Sequence, residues 1–134
     1  MKAVATTIEP WLSVINSAKA VAFYKLAFDA TERFKMEAPD GAVVAQLAIG
    51  GAGFWVSDES AEHGNFSPQT LGGKGTVRMI LTVTDPDALF AQSLAAGAAE
   101  VSAVTEEYGW RVGRVVDPFG HHWEIGRPVE NTDN

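Results

Sequence analysis

The chain has 134 residues, of which 46% are hydrophobic and 20% charged, as in ordinary globular proteins of single-domain size. Ten Lys and Arg against seventeen Asp and Glu give a net charge of −7, which excludes the basic surface that binds a nucleic-acid backbone. The absence of cysteine excludes disulfides, thiolate ligands and a cysteine nucleophile, and no apolar run has the length of a signal peptide or a membrane span. We therefore expect a cytoplasmic protein with no nucleic-acid or membrane partner.

Two stretches of the sequence repeat each other. Leu12-Ser13-Val14 matches Leu81-Thr82-Val83 at an offset of 69 (81 − 12), and Phe54-Trp55-Val56 matches Trp123-Glu124-Ile125 at the same offset. A unit of under about 70 residues buries too little surface to be stable alone, so the two copies are expected to join around a shared surface. The repeat predicts one domain over residues 1–134, with units over 6–57 and 76–127 and a connection over 58–75.

The first unit is predicted to run strand, helix, strand, strand, strand. A strand over 6–14 leads into a helix that Asn16 caps and that ends near Asp29. Strands then follow over 31–36, 42–49 and 53–56, the first two joined by a Pro-Asp-Gly turn at 39–41. Helical spacing predicts that the buried residues of the helix are Ala20, Phe23, Tyr24 and Ala27.

The second unit is predicted to repeat this order. After a strand over 76–84, Asp85 caps a helix whose first residue is Pro86 and which ends at Gly97. Strands are predicted over 100–105, 110–116 and 121–125, and a polar tail from Pro128. The buried side of the second helix is predicted to consist of Phe90, Ala91 and Leu94.

Several motifs, taken in order, resemble one superfamily. They are the two strand-to-helix openings, Phe23-Tyr24-Lys25-Leu26-Ala27-Phe28, Tyr108-Gly109-Trp110-Arg111, and the closing sequence DPFGHHWEI at 117–125. Over roughly residues 8–127 the chain resembles the vicinal oxygen chelate superfamily of glyoxalase I, bleomycin-resistance proteins and extradiol dioxygenases, and within it the PhnB-like branch. The resemblance implies an α+β fold in which two tandem βαβββ units form a curved mixed sheet around a cavity, and it implies a homodimer.

The resemblance also indicates where a metal would bind. Its metal-dependent members take ligands from the first and last strand of each unit, and the matching positions here are Glu9 and Trp55, then Arg78 and Glu124. Indole and guanidinium groups are not metal ligands, and a guanidinium repels a divalent cation, so the four-ligand site is broken and no cofactor is favoured. Two alternatives stay open: a divalent metal held by Glu9, His122 and Glu124, or an ion pair between Arg78 and Glu9 or Glu124.

The remaining cavity residues predict a binding surface. Strand alternation places His122 and Glu124 on the cavity side, whereas Arg111 and Arg114 both reach that side only if a bulge at Gly113 shifts the register. Tryptophans offer flat apolar surface, arginines can hold an anion, and carboxylates can accept from a cation or amide. The predicted ligand-binding residues are Glu9, Trp11, Trp55, Arg78, Trp110, Arg111, His122 and Glu124.

These patterns predict a metal-independent glyoxalase/bleomycin-resistance-like protein that binds a small planar or amphipathic molecule. The alternative is a divalent-metal-dependent lyase, isomerase or dioxygenase of the same superfamily, in which the metal polarises adjacent substrate oxygens. The sequence has no nucleophile elbow and no glycine-rich phosphate loop, which argues against hydrolases and nucleotide-binding enzymes of those kinds. Whether the protein is an enzyme, and which residues would be catalytic, stays open.

Overall fold

A computed structural model describes residues 1–129. The first unit consists of β1 (Trp11–Val14), α1 (Ser17–Phe28), β2 (Thr31–Glu37), β3 (Val43–Ile49) and β4 (Ala52–Asp58). The second unit consists of β5 (Met79–Thr82), α2 (Pro86–Ala96), β6 (Ala99–Glu107), β7 (Trp110–Val116) and β8 (His122–Pro128). The connection between them contains one short 3-10 turn, Ala61–His63.

The strands form two four-stranded mixed sheets, with orders β1-β4-β3-β2 and β5-β8-β7-β6. In each sheet the first strand pairs in parallel with the last, and the other pairs are antiparallel. Trp11 lies opposite Trp55 in the first sheet, and Ile80 lies opposite Glu124 at the equivalent place in the second. This shared register confirms the α+β fold and the two tandem βαβββ units.

Both helices begin and end where their capping residues predict. Asn16 accepts a hydrogen bond from Lys19 N in α1, and Asp85 accepts one from Ala88 N in α2. Neither helix in residues 1–129 is long and apolar enough to cross a membrane. The predicted buried residues of α1 are confirmed, but in α2 Ala91 is exposed, and Ser93 is buried with its hydroxyl on the carbonyl of Phe90.

Three strands differ from the prediction by three or more residues at one end. β1 begins at Trp11. The carbonyl of Pro10 accepts a hydrogen bond from Trp55 N, but proline has no N–H with which to continue the ladder. β5 is likewise shorter than predicted. β8 continues through Pro128, and Val129 N donates to Gly109 O, so the tail begins later than predicted. The remainder of the predicted tail, residues 130–134, lies outside the described residues.

One hydrophobic core joins the two units. Tyr24 of α1 is fully buried against aromatic rings of both units, including Phe54 of β4 and Trp123 of β8. Its hydroxyl donates to Oδ2 of Asp117, which also accepts from Trp123 Nε1 at 3.0 Å. The other oxygen, Oδ1, accepts from the backbone N–H groups of Phe119 and His121. Burial, followed by the charge of Asp117, raises the pKa of Tyr24 well above 10.0.

Candidate functional site

Each sheet has one face packed toward the helices and one face open. In β3, for example, Val43, Ala45 and Leu47 are buried toward α1, whereas the alternate residues Val44 and Gln46 are partly exposed. We call the open face of the first sheet the aromatic face, after Trp11, Phe34, Met36 and Trp55. We call the open face of the second sheet the charged face, after Arg78, Ile80, Trp110, Arg114, His122 and Glu124.

A stacked pair of tryptophans dominates the aromatic face. The indole rings of Trp11 and Trp55 lie 5.2 Å apart and within 7° of parallel, while Phe34 lies 5.9 Å from Trp55 at a tilt of 56°. Trp11 Nε1 donates to Ser57 Oγ at 2.8 Å, which fixes the orientation of the ring. Because Trp11 is nevertheless 53% exposed, the chain presents a rigid, flat apolar surface to solvent.

Glu9 lies at the edge of the aromatic face, where β1 begins. Its Oε1 accepts from Gln46 Nε2 at 2.8 Å, and its Oε2 lies 3.7 Å from Arg33 NH1. The carboxylate rests directly over Gly53, where a Cβ would come within 2.3 Å of Oε2. An open cleft of about 450 Å³ extends from here along the seam between the sheets, lined by Glu9, Ile49, Phe54, Met79 and Trp123 among others.

The charged face is built around an ion pair. Arg78 Nε lies 2.7 Å from Glu124 Oε2, which confirms one of the two ion pairs predicted for Arg78. Glu124 lies in register with Ile80 on one side and with Arg114 on the other. Beside it is a cavity of about 220 Å³ whose lining is mostly apolar. The residues that line this cavity are Ile80, Trp110, Val112, Glu124 and Gly126.

Two arginines of β7 lie on opposite faces of the sheet, because β7 pairs with β8 without a bulge at Gly113. Arg111 faces the helices, where it pairs with Asp87 at 2.6 Å. Its position therefore does not support the prediction that Arg111 binds the ligand. Arg114 lies on the charged face and donates from Nε to His122 Nδ1 at 3.1 Å. Burial lowers the pKa of His122, and the positive charge of Arg114 lowers it further.

The three donors of the alternative metal site are not brought together. Glu9 is bonded to Gln46 at the edge of the first sheet, while Glu124 and His122 are engaged by arginines on the second. Within the described chain, no group of three His, Asp or Glu side chains has a geometry that could hold a metal ion. The donor set therefore does not fit a metal in this arrangement.

The structure divides the predicted site residues among three places: the aromatic face with its edge, the charged face, and the helix-facing side of β7, where Arg111 lies. Trp11 and Trp55 meet on the aromatic face, and Glu9 lies at its edge. The charged face gathers four of the others: Arg78, Trp110, His122 and Glu124. Sequence reasoning did not include Phe34 and Ser57, although alternation along β2 and β4 puts both on the side of Trp55.

Residues 12–126 match the family of glyoxalase-like domains. The chain belongs to this family. A protein of Mycobacterium bovis, described as uncharacterised, is 40% identical to it over 131 residues, which cover 94% of this chain and 86% of the relative. Among solved structures, a gene product from Arabidopsis thaliana is 31% identical with a TM-score of 0.67 and covers 92% of this chain and 98% of its own. TioX from Micromonospora sp. ML1 is 26% identical with a TM-score of 0.71, covering 95% and 99%.

More distant structures share the glyoxalase-like fold. The fosfomycin resistance protein FosX from Listeria monocytogenes, in a complex with Mn(II) and sulfate, is 14% identical with a TM-score of 0.68 and covers 95% of both chains. TnmS3, an antibiotic binding protein from Streptomyces sp. CB03234, is 19% identical with a TM-score of 0.67, covering 95% and 99%. At such identities the likeness shows the fold alone. With the family match, it supports membership of the vicinal oxygen chelate superfamily.

Proposed function

We propose that this protein binds a small planar molecule by stacking it on the aromatic face, without using a metal. The observation that carries the proposal is the parallel pair of Trp11 and Trp55, in which Trp11 is 53% exposed and Trp55 is partly exposed. A ring system lying on this pair would bury apolar area on a surface that is already ordered, so little conformational entropy would be lost on binding. We also propose that the chain belongs to the PhnB-like branch and is cytoplasmic.

The chemistry of the metal-ligand positions supports the metal-free part of the proposal. Trp55 offers an indole where the resemblance expects a carboxylate, and that indole is already stacked on Trp11. Glu124 is a suitable ligand, but Arg78 is hydrogen-bonded to it and would repel an incoming cation. No feature of the described residues favours the alternative metal-dependent enzyme, although FosX shows that this fold can hold Mn(II) in another protein.

The second part of the proposal is that two copies associate and cover each other's open faces. The large apolar side chains of these faces are well exposed in one chain, and monomers seldom expose large contiguous apolar patches. A second copy placing its open sheets over them would shield the ligand from water and complete the cavity. The residues concerned are Trp11, Phe34, Met36, Ile80 and Trp110, which are between 38% and 60% exposed.

The ligand class rests on the chain's own surface. TnmS3 binds an antibiotic, which indicates that the fold accommodates a small molecule in that protein. Here the two indoles favour a flat aromatic or amphipathic compound, such as a drug or a secondary metabolite, and binding without turnover would sequester it. The rim carboxylate Glu9, held by Gln46, would accept a hydrogen bond from an amide or amine of the ligand.

Calorimetric titration of a panel of planar compounds, combined with elemental analysis, tests this proposal. Protein purified without a chelator should contain substoichiometric Zn, Ni, Mn and Fe, and should bind at least one planar compound saturably with quenching of tryptophan fluorescence. Analytical ultracentrifugation should give the mass of two chains. A stoichiometric metal that is lost in Glu124→Ala would overturn the metal-free assignment, and a panel without any saturable ligand would overturn the binding assignment.

A further inference from the structure

One arginine on the charged face, Arg114, has no carboxylate as an ion-pair partner among the described residues. Arg33, Arg78 and Arg111 each lie within ion-pair distance of a Glu or Asp side chain. Arg114 has no such partner among residues 1–129, and its hydrogen bond is the one that Nε makes to His122. Lys2, Lys19 and Lys74 also have no carboxylate within ion-pair distance among these residues, but they are exposed, whereas Arg114 is partly buried.

Arg114 lies on the open side of β7, next to the cavity of the charged face but not among the residues that line it. Along β7 it shares a side with Trp110 and Val112, both of which line that cavity. Across the sheet it lies opposite Glu124, but the carboxylate of Glu124 is turned to Arg78 instead. Since Arg114 is only partly exposed, its charge is incompletely solvated, and a half-buried cation gains most from an anionic partner.

His122 holds the guanidinium in a fixed orientation. Nε of Arg114 donates to Nδ1, so that ring nitrogen carries no proton and the neutral imidazole carries its hydrogen on Nε2. The two terminal nitrogens of Arg114 have no acceptor among the described residues. A planar guanidinium whose Nε is already bonded, and whose two terminal nitrogens have no acceptor, can bind a carboxylate or phosphonate through two parallel hydrogen bonds.

We infer that Arg114 forms an oxyanion subsite beside the apolar cavity, and that the ligand is an aromatic acid whose carboxylate or phosphonate binds this guanidinium while its rings lie against Trp110 and Ile80. The inference goes beyond the proposed stacking on the aromatic face, because it adds a binding place on the charged face and names the ligand class of that place. The pair of Arg78 and Glu124 next to it is internally neutralised, so the charged face carries one positive charge available to the ligand.

Calorimetry with three matched compounds tests the inference: naphthoate, naphthylphosphonate and the neutral naphthamide. In the Arg114→Gln variant both anions should bind about tenfold more weakly or worse, because two charge-assisted hydrogen bonds are lost, while naphthamide should change less than about twofold. Arg111→Gln is the matched control, since it removes the same charge from the same strand on the opposite face, and it should leave all three affinities unchanged. The tighter of the two anions identifies the oxyanion.

The outcomes separate this inference from the proposed stacking function. If naphthamide binds the wild-type protein as tightly as naphthoate, and Arg114→Gln alters neither, the oxyanion subsite is wrong while the stacking function stands. If none of the three compounds binds, the oxyanion subsite is wrong, whereas the stacking function is decided by the wider panel of planar compounds. Should Arg114→Gln not fold, as judged by circular dichroism, Arg114→Lys keeps the charge without the fork; undiminished binding of both anions by that variant would overturn the two-bond geometry proposed here.

Discussion

Nε of Arg78 lies 2.7 Å from Oε2 of Glu124. Of the four predicted metal-ligand positions, only that of Glu124 keeps the usual type of ligand, and the guanidinium of Arg78 is bonded to it. Both side chains are partly exposed, at 55% and 24%. We therefore expect Arg78→Met to change the free energy of unfolding in urea by less than about 1 kcal/mol. Lys25→Met, which breaks a similarly exposed pair with Glu32, is the matched control.

The same variant tests whether Arg78 alone prevents metal binding. Because Trp55 still fills one ligand position and His122 still bonds to Arg114, Arg78→Met should remain metal-poor by elemental analysis after incubation with Mn(II) or Zn(II). Stoichiometric metal in Arg78→Met, absent from the wild type, would instead show that the guanidinium is the single obstacle.

Trp11→Ala should weaken ligand binding while leaving the fold intact. The substitution removes half of the stacked pair, and an aromatic contact is worth about 0.5–1.5 kcal/mol beyond its buried area, so the affinity for a planar ligand should fall by about threefold to tenfold. Phe66→Ala, a similarly exposed aromatic in the connection, should bind as the wild type does. Equal affinities in the two variants would place the ligand elsewhere.

Tyr24→Phe should destabilise the protein. The variant removes the hydroxyl that donates to Asp117 in the core and leaves a buried carboxyl oxygen with one donor fewer, which costs about 1–3 kcal/mol. Urea denaturation measures the difference. Tyr108→Phe removes a hydroxyl that is fully exposed at the tip of the β6–β7 hairpin, and this change should stay within about 0.5 kcal/mol.

Alkaline pH should reduce the contribution of Tyr24. Burial and the charge of Asp117 raise the pKa of its hydroxyl above 10.0, so the folded protein holds this proton more tightly than the unfolded chain does. The stabilisation is therefore complete below about pH 10 and is lost as the pH rises toward the folded-state pKa. The difference in unfolding free energy between the wild type and Tyr24→Phe should shrink above that pH, and parallel curves would contradict the assignment.

The sequence predicted the helices better than the strands that begin each unit. Asn16 and Asp85 are local signals, because a capping side chain contacts a backbone N–H three residues away. The end of a strand depends instead on its neighbour: the apolar, β-prone residues before Met79 suggest a longer strand, but β8 pairs with four residues of β5. No sequence pattern reports where a partner strand stops.

In the candidate site, too, local sequence features were predicted correctly, and features that depend on distant residues were not. Alternation along a strand predicted that Glu124 and His122 share a face, and their contacts on the charged face agree with that. The separation of Arg111 from Arg114 depended on whether β7 contains a bulge, which the sequence left open. The bond between Tyr24 and Asp117 joins residues 93 positions apart, and neither has a local feature that indicates the other.

The two units share one register but have diverged on their open sides, where Trp11 and Trp55 correspond to Ile80 and Glu124. A two-fold dimer that sets the aromatic face of one chain over the charged face of the other would contain two identical pockets, each lined by Trp11 and Trp55 of one chain and Arg114 of the other. Pairing like faces would instead yield two unlike chambers. One bound compound per chain would therefore indicate the first arrangement, and one bound compound per dimer would indicate the second.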